Sequence, residues 1–444
     1  LLVKFQDLLN NISAEQTHGV CKRKFSTGFL SIDQSTALIN EATFSNFENY
    51  AEKHDFTQKF QDLKSGARLN NTENRAVTHF KYREPESDLY SKNLDEIEVL
   101  TKLIKTNFKK IIIFGIGGSY LGPKLMHDVF SNDEIEIHFV TGSDPAEFEK
   151  FKDLDLSEYG LVIASKSFST LETLRSYEVI TKNKYLNNTF AVTASRKSAI
   201  DYGINSNNIL GFDVGTGGRF SIWTGINIGF FLSHGRTAFE KFLSGANSID
   251  ILSSQKPGLN SALSLAIQDI VFNNLLNFDT TLILNYDYKL RNFYAYAQQL
   301  EMESLGKSVD RDTNELLDFN TGSIIWGGYG PRSQHSFFQH LFQGNRETNS
   351  YFIASENDDL NFKQFKGQTK SLRDGTLNEP DSHKRVLPKR YTTVLLENIS
   401  PESLGELIAI WENKTNFMSM FWNINPFDQW GVELGKLNTK KEIE

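Results

Sequence analysis

The chain has 444 residues, which exceeds what one hydrophobic core usually supports, so we expect two domains. Apolar residues make up 39% and charged residues 23%, as in globular proteins, and no apolar run approaches the roughly 18 residues of a membrane span. The 47 basic and 55 acidic side chains leave a net charge of -8, which argues against a broad nucleic-acid-binding surface.

The first 72 residues are polar and follow a mostly helical pattern, so we predict a helical flank over 1–72. Residues 1–7 predict an amphipathic helix rather than the apolar centre of a secretion signal. The single cysteine, Cys21, cannot form an intrachain disulfide, which favours a reducing compartment and hence a cytoplasmic location.

Short apolar runs that alternate with helical patterns predict parallel β-sheets in the rest of the chain. These runs are 111–114, 136–140, 161–164 and 189–192, then 280–284, 323–326, 351–354 and 392–396. We therefore predict two α/β domains, over 73–232 and 233–422, and a C-terminal segment over 423–444. Ser400 and Pro401 predict the start of a long helix that ends near Trp422. The charged stretch from 355 to 390 predicts a surface excursion.

Two strand-to-helix turns have the composition of anion-binding loops. The first, 115–122 (GIGGSYLG), has glycines that let backbone N–H groups approach a ligand. It fits neither a dinucleotide fingerprint, because Tyr120 stands where glycine is needed, nor a nucleotide P-loop. The second, 165–170 (SKSFST), gathers four hydroxyls and an ammonium, which suits a monoester phosphate. Each turn alone is also compatible with a capped helix start.

Five charged residues have to be considered for acid–base chemistry, each beside a purely structural explanation. Glu301 and Glu303 fall in a helical pattern and point about 200° apart, so they cannot share one task. Glu303 is a candidate base, or part of a solvated acidic face. His335, after a glycine-rich turn, is a candidate proton shuttle or a capping residue. Arg219 follows two glycines and could stabilise an anionic intermediate or pair with a structural carboxylate, and Lys436 alone would be a surface lysine.

The histidines and the single cysteine argue against metal catalysis. No histidine pair has the His-Glu-x-x-His spacing, and a single cysteine excludes thiolate zinc sites. We therefore predict no metal site.

Together, these motifs resemble the phosphoglucose isomerase family from residue 70 to residue 436. The resemblance is carried by 70–75 (NNTENR), 115–119 (GIGGS), 165–170 (SKSFST), 217–219 (GGR), 302–304 (MES), 334–335 (QH) and 422–425 (WNIN) with the stretch on to 436. It implies an α/β protein of two doubly wound, parallel-sheet sugar-isomerase domains, with a helical N-terminal flank and a C-terminal helical arm. It also implies the interconversion of glucose 6-phosphate and fructose 6-phosphate, in glycolysis and gluconeogenesis, without a cofactor.

The resemblance implies a role for each candidate residue. Glu303 would carry the proton between C2 and C1 through a cis-enediolate stabilised by Arg219, while His335 and Lys436 would assist opening of the sugar ring. The residues implied to bind the substrate are Gly118, Ser119, Ser165, Lys166, Ser167, Thr170, Glu172, Gln299 and Gln429. The resemblance also implies a homodimer in which each site takes its histidine, His335, from the partner subunit.

Two alternatives belong to other classes of protein. A non-catalytic sugar-phosphate-binding regulator would need none of Glu303, His335 and Lys436, so their retention favours an enzyme. The second alternative is another aldose–ketose isomerase or an aminotransferring sugar synthase. A synthase would need a glutamine-hydrolysing part with a nucleophilic cysteine, and Cys21 has no such setting. Mannose 6-phosphate is left open as an additional substrate.

Overall fold

The fold, taken from a computed structural model, is described for residues 4–67, 69–132, 134–357 and 359–443. The strands are β1 (Lys24–Ser26), β2 (Leu30–Asp33), β3 (Lys110–Phe114), β4 (Glu136–Val140), β5 (Tyr159–Ala164), β6 (Thr189–Thr193), β7 (Ile209–Gly211), β8 (Thr280–Asn285), β9 (Ile324–Tyr329), β10 (Asn349–Ser355) and β11 (Thr392–Leu396). The α-helices are α1 (Phe5–Asn10), α2 (Ala14–Thr17), α3 (Glu41–Lys53), α4 (Phe56–Ser65), α5 (Asp88–Asn107), α6 (Leu121–Phe130), α7 (Pro145–Phe148), α8 (Leu171–Thr181), α9 (Arg196–Asp201), α10 (Ile228–Ser253), α11 (Ser261–Ile270), α12 (Phe293–Leu305), α13 (Gly330–Ser333), α14 (Phe338–Gln343), α15 (Leu360–Asp374), α16 (Pro401–Trp422) and α17 (Glu433–Ile443). None of the described helices is long and apolar enough to cross a membrane.

The first sheet is parallel throughout, in the order β4-β3-β5-β6-β7. Its central strands are buried on both faces, which explains their continuous apolar sequence. Along β3, Ile111 and Ile113 enter one core cluster while Ile112 and Phe114 enter another, as the two-residue period of a strand requires. The strands predicted in this half are confirmed, and the short strand β7 was not predicted.

The second sheet is mixed, in the order β1-β2-β11-β10-β8-β9. β11, β10, β8 and β9 run parallel as predicted, but β2 pairs antiparallel with β11, and β1 pairs antiparallel with β2. The flank predicted over 1–72 contains four α-helices, but β1 and β2, which were not predicted, extend the second sheet from it. Residues 30–33 alternate buried and more exposed positions, a strand pattern too short to stand out in the sequence.

The helices of the flank pack on the C-terminal end of α16. Phe47 of α3 and Phe56 of α4 lie with ring centroids 5.7 Å and 4.7 Å from Phe421. α1 begins at Phe5, so the first part of the amphipathic helix predicted over 1–7 lies outside the described residues.

Helix α16 runs through the core that the two sheets share. It begins at the predicted position, where the Ser400 hydroxyl accepts a hydrogen bond from the Ser403 backbone N–H at 3.1 Å. The largest core cluster contains Ile113 of the first sheet, Ile283 of the second and Leu407 of α16. α16 also carries buried charged residues, which pair with partners on neighbouring segments.

The stretch 355–390 was predicted as a surface excursion, but it contains α15, which buries Phe365 and Leu372 against the second sheet. The many charges of α15 lie on its outer face, and they gave the sequence the composition of a surface loop.

The predicted domain boundary at 232 falls inside α10, whose helical geometry breaks at Gly235 (φ 73°). The division into 1–72, 73–232, 233–422 and 423–444 stays a prediction.

Candidate active site

The candidate site lies at the carboxyl edge of the first sheet. Because β3, β5, β6 and β7 are parallel, the turns that follow them emerge at this same edge. The turn after β3 contains the 3-10 helix Gly117–Ser119, and the turn after β5 is 165–170. The two predicted anion-binding loops are therefore neighbours: a Cβ on Gly115 would lie 3.1 Å from the carbonyl oxygen of Ala164.

The 165–170 loop is built as a hydroxyl-lined turn. The Ser165 and Thr170 hydroxyls lie 3.0 Å apart, and the Ser169 hydroxyl donates to Ser167 at 2.8 Å. Phe168 has a left-handed backbone (φ 51°) and is almost fully buried, so its ring anchors the loop in the core. Ser165 is buried while Ser167 is exposed, which gives the loop one face in the protein and one in solvent.

Lys166 lies in an electropositive environment. Burial, together with the charges of Arg75 and Arg219, lowers the pKa of Lys166 to about 8, against the opposing charge of Glu73. A cation that is partly desolvated and surrounded by other cations has a strong electrostatic tendency to attract an anion. The loop therefore combines hydroxyl donors with a poised positive charge.

A close approach of two glycines joins this loop region to Arg219. A Cβ on Gly118 would lie 2.1 Å from the carbonyl oxygen of Gly218, so any larger residue would push the two segments apart. Gly218 begins the 3-10 helix Gly218–Trp223, whose second residue is Arg219. The glycines predicted from the sequence thus place the arginine beside the 115–119 turn, where Ser119 is buried.

Arg219 is buried and its guanidinium is held on several sides. Its Nε donates to the Ser304 hydroxyl at 2.7 Å and its Nη1 to the Gln429 side-chain oxygen at 3.1 Å. Its Nη2 donates to the carbonyl oxygens of Pro426 and Asp428, the latter at 3.0 Å. These bonds fix the orientation of the guanidinium.

Glu303 lies on α12 and faces this arginine. Its Oε1 is 3.3 Å from Nη1 of Arg219, and its Oε2 accepts a hydrogen bond from the Gln299 amide at 3.0 Å. The amide nitrogen of Gln299 would lie 3.0 Å from a Cβ on Gly117, which has a left-handed backbone (φ 57°). A half-buried carboxylate, a buried guanidinium and a hydroxyl-lined loop thus converge on one edge of the sheet.

The family model described as "Phosphoglucose isomerase" matches residues 33–444. The chain belongs to the phosphoglucose isomerase family. It is 32% identical to "Glucose-6-phosphate isomerase" of Wigglesworthia glossinidia brevipalpis over 99% of this chain and 92% of that protein. It is also 33% identical to "Glucose-6-phosphate isomerase" of Corynebacterium glutamicum, over 94% of this chain and 87% of that protein.

One solved structure agrees with this membership of the phosphoglucose isomerase family, and a second shares the fold. A glucose-6-phosphate isomerase from Chlamydia trachomatis superposes with a TM-score of 0.87 at 26% identity, covering 99% of this chain and 94% of that one. A hypothetical protein from Thermus thermophilus shares the fold, with a TM-score of 0.74 at 19% identity over 93% of this chain and 99% of that one. The predicted fold class and family are confirmed.

The first and last motifs of the phosphoglucose isomerase resemblance meet in space. The Asn425 amide donates to Asn70, to the Thr72 hydroxyl and to the Asp428 carboxylate at 3.0, 3.1 and 2.9 Å. The Thr72 hydroxyl also donates to that carboxylate at 2.6 Å. This network fixes the loop whose carbonyl groups hold Arg219.

Lys307 is a charged residue of this site that the sequence analysis missed. Its Nζ donates to the carbonyl oxygens of Glu303 at 2.7 Å and Asp428 at 3.0 Å, and lies 3.5 Å from the Asp428 carboxylate. Burial, with the nearby Arg219 charge, lowers the pKa of Lys307 to about 8. Lys307 lies just beyond α12, which ends at Leu305, and its spacing of four residues from Glu303 is the signal that could have identified it.

Three predicted site residues lie outside this cluster. His335 is exposed in the turn between α13 and α14, and Lys436 is exposed on α17, where it pairs with Glu433 at 2.8 Å. Glu172 is exposed in the first turn of α8. Within the described parts of the chain, no hydrogen bond or ion pair joins any of the three to Glu303 or Arg219. Thus, one chain brings together the two predicted anion-binding loops, Gln299, Glu303, Arg219 and Gln429, but not these three.

Proposed function

We propose that this member of the family catalyses the reversible isomerisation of glucose 6-phosphate and fructose 6-phosphate. The observation that carries the proposal is the contact between Glu303 and Arg219 beside a hydroxyl-lined loop at the carboxyl edge of a parallel sheet. This arrangement supplies a base, an electrostatic clamp and an anion-binding loop in one place.

The substrate phosphate would bind at the 115–119 and 165–170 turns. Hydroxyl groups of Ser119, Ser165, Ser167 and Thr170 would donate to its oxygens, and the Lys166 ammonium would balance its charge. The backbone N–H groups of the glycine turn, including that of Gly118, would approach the phosphate closely. Holding the phosphate fixes the distance of the sugar carbons from α12.

Glu303 would then take the proton from C2 of the open-chain aldose and return it to C1. The oxygen that becomes negative in the cis-enediolate would face the Arg219 guanidinium, which is already oriented by four acceptors and needs no rearrangement. Gln299 would hold Glu303 in place, and Gln429 and Glu172 would contact the sugar.

Ring opening requires an acid and a base in addition to the groups that bind the phosphate and move the C2 proton. We assign these tasks to His335 and Lys436, with His335 supplied by a second copy in a homodimer. The exposure of both residues is consistent with this assignment. The apolar side chains on and beside α17, Trp430, Leu434 and Leu437, are also exposed and would favour packing against another surface.

A coupled assay tests the reaction itself. Purified protein is given fructose 6-phosphate, and the glucose 6-phosphate formed is oxidised by a dehydrogenase that yields a coloured or fluorescent product. We expect sustained turnover that depends on the amount of protein. Saturable binding of the sugar phosphate without turnover would instead support the non-catalytic regulator.

Mixing two inactive variants tests the shared site. Glu303→Gln and His335→Ala are each purified, then mixed, unfolded and refolded together. Half of the dimers are then mixed, and each mixed dimer has one intact site if His335 acts across the interface, so about a quarter of wild-type activity should return. No recovery would place His335 in the same chain's site, and a monomeric mass in sedimentation would exclude the dimer.

The reducing compartment expected from the lone Cys21 leads us to place the enzyme in the cytoplasm.

A further inference from the structure

Helix α12 carries two carboxylates with different surroundings. Glu303 faces the candidate site, whereas Glu301, two residues earlier and about 200° around the helix, points into the core and is 3% exposed. The side of α12 opposite the site is therefore held by a charged group rather than by an apolar one.

Glu301 is fixed by two donors from one turn of α16. Its Oε1 accepts from the Trp411 indole N–H at 2.6 Å and from the Lys414 ammonium at 2.9 Å. Lys414 is fully buried and also bonds the Asp269 carboxylate of α11 at 2.6 Å. Burial opposes the charge of Lys414, but Asp269 and Glu301 outweigh that effect and raise its pKa, so the ammonium persists.

The far side of this network is also anchored. Asp269 accepts hydrogen bonds from the Asn349 amide at 2.6 Å and from the Tyr351 hydroxyl, both on β10. Lys414 therefore connects α12 to α11 and, through Asp269, to the second sheet. A hydrogen-bonded ion pair of this kind has a defined geometry, which an apolar contact does not impose.

The same turn of α16 also holds the segment that carries Arg219. Glu412 accepts the Trp223 indole N–H with both carboxylate oxygens, at 3.0 and 3.1 Å. Trp223 ends the 3-10 helix in which Arg219 is the second residue. Residues 411–414 thus contact both α12, which carries Glu303, and the 3-10 helix that carries Arg219, through residues other than the pair itself.

We propose that Glu301 and Lys414 are positioning residues that set the rotation of α12 and thereby place the Glu303 carboxylate for proton transfer. The proposal rests on the proposed role of Glu303 as the base. A side-chain end about 6 Å from a helix axis moves about 1 Å when the helix turns by about 10°. An error of about 1 Å at a reacting group can cost about 10²-fold in rate.

The test compares Glu301→Leu with Glu406→Leu. Glu406 is a matched control because it is also a buried, hydrogen-bonded carboxylate. It lies on α16, is 1% exposed, and accepts the backbone N–H groups of Gly28 and Phe29 at 3.1 and 2.9 Å, away from the site. Turnover, KM for fructose 6-phosphate, unfolding temperature and the isotope effect with glucose 6-phosphate deuterated at C2 are measured for both.

We expect Glu301→Leu to lower kcat at least about 10-fold with KM within about twofold, and to raise the isotope effect, because proton transfer becomes slower than the other steps. Glu406→Leu should lower the unfolding temperature while leaving kcat and the isotope effect at their wild-type values. If both variants lose stability and neither changes the isotope effect, Glu301 is only structural and the proposal is wrong.

A milder variant keeps the test decisive if Glu301→Leu does not fold. Trp411→Phe removes the indole N–H that bonds Glu301 together with part of the buried ring. Trp422→Phe is its control, since it makes the same change at a buried indole whose N–H donates to Asn274 at 2.9 Å. A raised isotope effect in Trp411→Phe alone supports the proposal, and equal isotope effects in both overturn it.

Glu303→Gln is measured in parallel, to separate a failure of this proposal from a failure of the proposed base. If Glu303→Gln keeps normal turnover, the assignment of the base has failed. If Glu303→Gln is inactive while the Glu301 and Trp411 variants are unaffected, only the positioning role is refuted.

Discussion

The Nη1 atom of Arg219 lies 3.3 Å from the Oε1 atom of Glu303, and the two residues come from opposite halves of the chain. Arg219 follows the first sheet and Glu303 lies on the helix after β8 of the second. The pair is therefore created by the packing of the two sheets on one core. Its arginine is nearly inaccessible and its carboxylate is partly open, which agrees with the proposed roles of a fixed electrostatic group and of a base that contacts substrate.

Replacing the proposed base tests that assignment most directly. We expect Glu303→Gln to lower turnover by at least about 10³-fold, because an amide cannot take a proton from carbon. The amide has the same shape and can still accept a hydrogen bond from Gln299, so the unfolding temperature should change little. Steady-state kinetics and thermal unfolding check both parts, and near-normal turnover would discard Glu303 as the base.

The lowered pKa of Lys166 predicts a pH dependence of substrate binding. The ammonium attracts the phosphate, and because its pKa is about 8 the free enzyme loses this charge as pH rises through that value. KM for fructose 6-phosphate should therefore increase between about pH 7 and about pH 9. Lys166→Arg should abolish this increase, since a guanidinium stays charged over that range. An increase that persists in Lys166→Arg would point to another group, such as Lys307.

The contact between Gly118 and Gly218 predicts a strict need for glycine at residue 118. In Gly118→Ala the new Cβ would meet the Gly218 carbonyl group, and backbone atoms cannot move aside as a side chain can. We expect kcat/KM to fall at least about 10-fold, because the phosphate turn and Arg219 would separate. The control is Gly211→Ala, where no atom lies within 4 Å of the added Cβ. Equal activity of the two variants would contradict the prediction.

The buried Arg83 network predicts a large loss of stability when the arginine is removed. Arg83 is fully buried and bonds the carboxylates of Asp250 at 2.6 Å and Glu412 at 2.5 Å. Arg83→Met would leave two buried carboxylates unpaired, which should lower the free energy of unfolding by about 3–5 kcal/mol. Arg236→Met, which breaks a network at the surface, should cost less than about 1 kcal/mol. Urea unfolding measures both, and similar losses would refute the argument.

Local sequence was sufficient for most strands of the two sheets. Buried parallel strands such as β3 contain continuous apolar runs, as do β5 and the centre of β10 (351–354), so each is visible without knowledge of its neighbours. β1 and β2 were not visible, because strands of three and four residues acquire their stability from pairing, of β1 with β2 and of β2 with β11, rather than from their own sequence.

The chemistry-bearing residues were recognisable for a similar reason. A glycine turn or a cluster of hydroxyl groups after a strand is a local pattern, so Gly118, Ser119, Ser165 and Thr170 could be selected before their positions were known. The resemblance to the family pointed to Arg219 and Glu303. Lys307, which has no distinctive motif of its own, was missed because the carbonyl groups of Asp428 and Glu303 that it contacts are brought to it by the fold.

The sequence by itself determined the α/β class and the family and marked the two candidate anion-binding loops, because these depend on residue types within a few positions of one another. Tertiary structure alone decided that Glu303 meets Arg219, that Lys414 reaches Glu301 and that an N-terminal hairpin completes the second sheet. Each of those contacts joins segments far apart in the chain, and their partners are fixed only when the packing of both sheets around α16 brings the segments together.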